Sequence, residues 1–221
     1  MLLENVKNFV RHDNGNTLKT VIKTLEELNY KVNYKVLNTS KFGLPQNRER
    51  VYLVCFNLDF FEEPSFNFPN LNLQSKLQDI LENEPLDAKI VERNDISFYK
   101  NYQIKTDLFG NQELPNKPIQ IGKVNKGGQG ERIYHTQGHS ITLSAQGGGV
   151  GSKTGLYKVN NKIRKLSPRE CARLQGFPEN FIHPTSISQA QKQFGNSLSI
   201  NTLQHIIKEL NEDFSLYECR S

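Results

Sequence analysis

Apolar residues recur at Leu18, Val21, Ile22, Leu25 and Leu28. That 3.6-residue spacing predicts an amphipathic helix, with Asn16 placed to cap it. Residues 32–37 alternate apolar and polar side chains and read as a half-buried strand. Val51-Tyr52-Leu53-Val54-Cys55-Phe56 is apolar without a break, the pattern of a strand covered on both faces. Between these strands, residues 38–50 carry Gly43 and Pro45 and form a loop. Helix, strand, loop and strand together make a piece of an α/β domain.

The pattern changes between residues 62 and 165, where Pro, Gly, Asn and other polar residues dominate. One short helix is expected within residues 73–81. Strands are expected over residues 119–124, 132–135, 140–144 and 156–159, separated by Gly127-Gly128 and Gly147-Gly148-Gly149. Helical signals return with Ser167-Pro168-Arg169-Glu170, a capping box with proline at the first helical position, and Gly176 stands past its last turn. A last helix starts near Ser199 and gathers Ile200, Leu203, Ile206, Ile207 and Leu210 on one face. The expected layout is an α/β domain (residues 1–61), a small β-rich insert (62–165) and helices returning to the first domain (166–221).

Composition narrows the class without naming a function. A hydrophobic fraction of 36% over 221 residues can form a core, and no run approaches the ~18 apolar residues of a membrane span. Residues 1–9 include Glu4 and Asn5 and do not form a signal peptide, so a cytoplasmic location is expected. A net charge of +5 leans weakly toward a polyanionic partner. Cys55, Cys171 and Cys219 are too scattered for a disulfide framework, and His135 and His139 lack further nearby ligands, so no metal is expected.

Several motifs are ambiguous one at a time. Gly147-Gly148-Gly149-Val150-Gly151-Ser152-Lys153-Thr154-Gly155 approaches a phosphate loop, but Ser152 stands where the second glycine is needed and a strand follows instead of a helix. Glu4 after Leu2-Leu3 suits the carboxyl end of a strand, where ligand sites of α/β sheets gather, and equally suits an ordinary charged residue. Arg48 and Arg50, two apart at a strand entrance, would face one side and grip an anion or a carbonyl, or simply be solvated. Gly195-Asn196-Ser197 before a helix is usually structural.

Taken together these segments are specific. Glu4-Asn5-Val6, Gln46-Asn47-Arg48-Glu49-Arg50, the stretch from Arg164 to Pro178, and Gln193-Phe194-Gly195-Asn196-Ser197 occur in one order. His12-Asp13-Asn14-Gly15-Asn16-Thr17 and Gly127-Gly128-Gln129-Gly130-Glu131-Arg132-Ile133-Tyr134 add to them. The chain resembles the second half of the DNA cytosine-5 methyltransferases of bacterial restriction-modification systems, from about Leu3 to Leu210.

The resemblance implies the C-terminal part of a Rossmann-like methyltransferase domain with a small β-rich target-recognition domain inserted. It implies S-adenosylmethionine as cofactor, double-stranded DNA as partner, and a cytosine flipped from the duplex. Glu4 would bond ring nitrogen 3, Arg50 would stabilise charge on the ring carbonyl oxygen, and Arg48 would support the site. Asn196 and Ser197, with Phe177 nearby, would complete the cofactor pocket. Gln129 and Arg132 would read base edges. The loop carrying Thr142, Ser144, Gly147 and Gly148 would lie along the displaced strand or its phosphates. The internal cytosine of GCGC is the leading target, although Gln146 stands where an aromatic is expected.

Two parts of the family pattern do not occur in the 221 residues: a glycine-rich cofactor loop near the amino end and a Pro-Cys dipeptide carrying the nucleophile. The expectation is therefore a C-terminal portion, inactive alone, that needs a complementing N-terminal chain. An inactive product of a truncated gene and a DNA-binding module without catalysis are the alternatives.

Overall fold

The computed structural model describes residues 1–99, 116–183 and 186–214. In chain order the elements are β1 (Leu2–Val6), α1 (Asn16–Glu27), β2 (Tyr30–Asn38), β3 (Gln46–Asn47), β4 (Glu49–Asn57), β5 (Ser97–Phe98), β6 (Gln120–Lys123), β7 (Arg132–His135), β8 (Ser140–Ile141), β9 (Leu156–Val159), β10 (Lys162–Arg164), α2 (Pro168–Leu174), α3 (Ile187–Asn196) and α4 (Ile200–Phe214). They fall into two compact units.

The first unit comprises Met1–Asn38, Glu49–Leu71 and Thr202–Ser221. Its sheet has the order β1-β4-β2, with β4 antiparallel to both neighbours. β1 and β2 therefore run parallel to each other, joined through α1, around one reversed strand. The unbroken apolar run of β4 is explained by cover on both faces. Val51, Leu53 and Cys55 pack with Leu18, Val21, Ile22 and Leu25 of α1. On the other face, the Phe56 ring meets Phe61 and Phe66 at centroid distances of 5.7 and 6.4 Å. Each such side chain contributes about 1.5–3 kcal/mol by leaving water. The helix begins at Asn16 itself, one residue earlier than a cap there implies, with Gly15 as the cap at a left-handed φ of 86°.

The second unit comprises Thr39–Arg48 and Asn72–Asn201. Its five-stranded sheet has the order β10-β9-β7-β6-β5, antiparallel except for the β7–β9 pair. Alternation along each strand splits the core into two layers. Ile133, Leu156, Ile163 and Ile121 point into one, and Tyr134 and Tyr157 into the other. The second layer also buries Leu143, Leu166, Cys171, Ala172, Leu174, Ala190 and Phe194. Thus α2 and α3 share a core with the β-rich segment, whereas the sequence reading returned them to the first domain. The expected helix within residues 73–81 is a single 3-10 turn, Leu77–Ile80.

The capping box of α2 is present and extended. Ser167 Oγ accepts the Glu170 amide at 3.1 Å, and Glu170 Oε2 accepts the Ser167 amide at 2.8 Å. The same carboxylate, fully buried, takes a two-pronged bond from Arg164 at 2.7 and 2.8 Å. A buried carboxylate is stable only when paired in this way. In α4, Thr202 and Ile206 are buried while Ile207 is 42% exposed, so the inward face is rotated from the expected one. Among the described residues, no helix is long and apolar enough to cross a membrane.

Candidate catalytic and DNA-reading sites

Glu4 sits at the middle of β1, not at its carboxyl end. In the β1–β4 register Glu4 faces Tyr52 and Val6 faces Arg50, so Glu4 and Arg50 are diagonal neighbours on one face. Arg50 Nε lies 3.0 Å from Glu4 Oε1, with side chains 14% and 22% exposed. Arg50 Nη1 also donates to the Glu49 carbonyl at 2.8 Å. Burial lowers the Arg50 pKa, and the Glu4 charge works in the opposite direction. An arginine so shifted is still cationic near neutrality. The result is a half-buried pair of opposite charges, with carboxylate acceptors and guanidinium donors on one sheet face.

Arg48 behaves differently. It precedes β4, outside the strand, so the two-residue alternation assumed from the sequence does not govern its direction. Only 2% exposed, it donates to the carbonyls of Leu143 at 3.2 Å, Gly195 at 3.3 Å and Ser197 at 2.8 Å. It ties loop ends together by gripping carbonyls, one of the alternatives left open by the sequence. Gln46 does similar work: Nε2 donates to the Leu174 carbonyl at 2.9 Å, and Oε1 accepts the Leu143 amide at 3.0 Å. Gln46 was quoted with its motif but given no role of its own, its one signal being an amide with both donor and acceptor beside two arginines.

The Gly195-Asn196-Ser197 motif ends α3 instead of opening a helix. A Cβ at Gly195 would lie 2.5 Å from the Ser144 carbonyl carbon, so glycine here permits a close backbone crossing. Asn196 is exposed, and Ser197 is half-buried with its hydroxyl donating to the Phe194 carbonyl at 2.9 Å. The half-buried Phe177 ring packs on Phe194 and Phe181 at 5.4 and 4.5 Å. The three expected cofactor residues therefore gather at the end of α3.

Gln129 and Arg132 are exposed at the start of β7, and Gly147 and Gly148 are exposed on a facing loop. Both segments line one cleft of about 400 Å³, which also includes Thr142 and Ser144 but not Arg132. The Thr142 hydroxyl donates to the Asn47 carbonyl at 2.6 Å, and the Ser144 hydroxyl to that of Gln146 at 2.9 Å. These two hydroxyls shape the loop first. Gly147 to Gly155 leads into β9, as expected of a segment that is not a phosphate loop.

A network absent from the sequence reading holds the Gln129 turn. Arg93 pairs with Asp95 at 2.7 Å and donates to Asn125 Oδ1 at 2.8 Å. Asn125 Nδ2 donates to Glu131 Oε1 at 2.8 Å, and Glu131 Oε2 accepts the Gly128 amide at 2.9 Å. The Arg93 hydrogen bond holds the Asp95 pKa down at about 2, and the bond from Asn125 lowers that of Glu131. Conversely, burial pushes the Cys55 and Cys171 thiols up, which disfavours the thiolate a nucleophile needs.

The model of the family described as C-5 cytosine-specific DNA methylase matches residues 1–212. The chain is 47% identical over 212 residues to the type II methyltransferase M.HhaI of Haemophilus parahaemolyticus, covering 93% of this chain and 61% of that protein. It is 39% identical over 213 residues to M1.ScrFI of Lactococcus lactis subsp. cremoris, covering 96% and 51%. The chain thus spans between half and two thirds of the length of these relatives. Among solved structures, the Dnmt2 methyltransferase of S. pombe and the EhMeth methyltransferase of Entamoeba histolytica each match with a TM-score of 0.62 at 18% identity. Each match covers 96% of this chain, with 66% of the former and 62% of the latter, and concerns the fold. The chain belongs to the C-5 cytosine-specific DNA methylase family.

Proposed function

We propose that this chain is the C-terminal portion of a restriction-modification DNA (cytosine-5)-methyltransferase and acts with a complementing N-terminal chain. The observation that carries the reading is the Glu4–Arg50 pair within a family match spanning residues 1–212. Attack on ring carbon 6 of a flipped cytosine drives negative charge toward ring nitrogen 3 and the carbonyl oxygen. A carboxyl group at the nitrogen and a fixed guanidinium at the oxygen stabilise that charge, and both are already oriented by the sheet. The nucleophilic cysteine and the glycine loop would come from the complementing chain.

S-adenosylmethionine, when bound, supplies the methyl group transferred to ring carbon 5. The residues at the end of α3 fit part of such a group. Asn196 offers an exposed amide and Phe177 an aromatic ring, where an adenosyl moiety needs both polar and apolar contacts. They would hold one side of the cofactor. Gln129 and Arg132 would read base edges in double-stranded DNA, with Thr142, Ser144, Gly147 and Gly148 along the strand. The proposed target is the internal cytosine of GCGC, on the likeness of the Gly127-to-Tyr134 segment.

A second reading is favoured by one observation: the second unit has two buried apolar layers of its own beside the Gln129 cleft. On that reading the chain binds DNA without catalysis. Bisulfite sequencing of DNA treated with the reconstituted pair separates the two. Protected cytosines within GCGC support the proposal, protection in another motif overturns the target, and selective DNA binding with no protected cytosine supports the binding module.

A further inference from the structure

The two segments lining the Gln129 cleft are interlocked through their backbones. The Gly151 amide donates to the Gly130 carbonyl at 2.7 Å, joining the turn before β7 to the facing glycine loop. A Cβ built on Gly130 would overlap the Gly148 carbonyl oxygen. Gly149 has a φ of +82°, and a Cβ there would stand 3.0 Å from the Gly130 carbonyl oxygen and 3.3 Å from Glu131 Cγ. Gly148 differs: a Cβ at that position meets nothing within 4 Å. From the other side the turn is held by Glu131, which ties Gly128 to Asn125.

We propose that Gly130 is a specificity-positioning residue, whose backbone contact locks the Gln129–Arg132 turn and the glycine loop into one rigid DNA-reading surface. The proposal rests on the DNA-methyltransferase reading above. The physical reason is geometric. Base-edge recognition depends on bidentate bonds that tolerate little displacement, while phosphate contacts follow charge and tolerate more. Any side chain at Gly130 pushes the two segments apart, which moves Gln129 and Arg132 relative to the facing loop without altering a single charge. Discrimination should then fall while the electrostatic part of binding persists.

The test uses the chain together with its complementing N-terminal chain. Dissociation constants are measured for a GCGC duplex and a duplex with one base pair changed, at several salt concentrations. For Gly130→Ala the ratio between the two duplexes should fall by about tenfold or more, the scale of one lost base contact. The salt dependence, which counts phosphate contacts, should stay that of the unmodified protein. Leu86→Ala, at a fully exposed position of the same unit outside the cleft, should keep both. Should Gly130→Ala fail to fold, Glu131→Gln, which alters one surface carboxylate of the same turn, carries the test to the same criterion. Retained discrimination in the folded variant, or a loss equal in Leu86→Ala, overturns the interlock. Absence of any preference in the unmodified protein overturns the reading beneath it as well.

Discussion

Glu4 and Arg50 lie diagonally across the β1–β4 pair, with 3.0 Å between carboxylate and guanidinium. Antiparallel pairing fixes both backbones, so the two charges are held in place before any substrate arrives. Replacing Glu4 by Gln, or Arg50 by Ala, in the reconstituted enzyme should lower the rate of methyl transfer by about 10²-fold or more. DNA affinity should change far less, because each group acts on charge that develops only during the reaction. Single-turnover rates beside dissociation constants check this. Equal losses in both would assign the pair to DNA holding.

Arg48 should matter for stability more than for chemistry. Its guanidinium serves the carbonyls of Leu143, Gly195 and Ser197 in a site closed to solvent. Arg48→Ala leaves those acceptors without their donor and should cost about 3 kcal/mol or more. Urea unfolding of the reconstituted pair measures it. A stability within experimental error of the unmodified protein, with transfer abolished, would return Arg48 to the catalytic role expected from the sequence.

Much of this was legible in the sequence where local periodicity decides the outcome. The apolar spacing of Leu18 to Leu25 and the Ser167-Glu170 box found their helices, because neighbouring residues alone set those patterns. β1 was less visible, since Leu2 to Val6 alternates too briefly to be told from a charged terminus. The direction of the Arg48 side chain was not legible, because the break before β4 depends on distant partners at Leu143 and Gly195. The membership of α2 and α3 in the second unit was hidden for the same reason. Their buried faces meet Tyr134 and Tyr157, contacts that no periodicity reveals. At the candidate sites the family likeness picked out residues, while the Arg93–Asp95–Asn125–Glu131 network lay in side chains 38 positions apart that no motif connects.

Acid should loosen the Gln129 turn through that network. Asp95 has its pKa lowered to about 2 and Glu131 is shifted in the same direction. A carboxylate depressed on folding stabilises above its ordinary value and loses that contribution as pH falls through its folded value. For Asp95 the loss runs from about pH 4 down to about 2. Carboxyl carbon resonances followed by NMR should titrate at about 2 for Asp95 and below the usual glutamate value for Glu131. Ordinary midpoints at both would mean the network is open in solution.

Arg132 should discriminate at one position. Its exposed side chain at the start of β7 can present a bidentate donor to a guanine edge. Arg132→Ala should reduce preference by about 1–3 kcal/mol at a single base pair and leave the others intact. A panel of duplexes, each changed at one position of GCGC, resolves the pattern. Uniform weakening across the panel would make Arg132 a phosphate contact.

This chain is proposed to carry half of a methyl-transfer site. The most direct test is incorporation of labelled methyl groups from S-adenosylmethionine into DNA, by the purified chain alone and after mixing with an N-terminal methyltransferase chain bearing the glycine loop and Pro-Cys. Neither chain should incorporate label separately, and the mixture should, with the rate lowered by about 10²-fold or more in Glu4→Gln. Incorporation by this chain alone, or none by a mixture shown to assemble, would contradict the proposal.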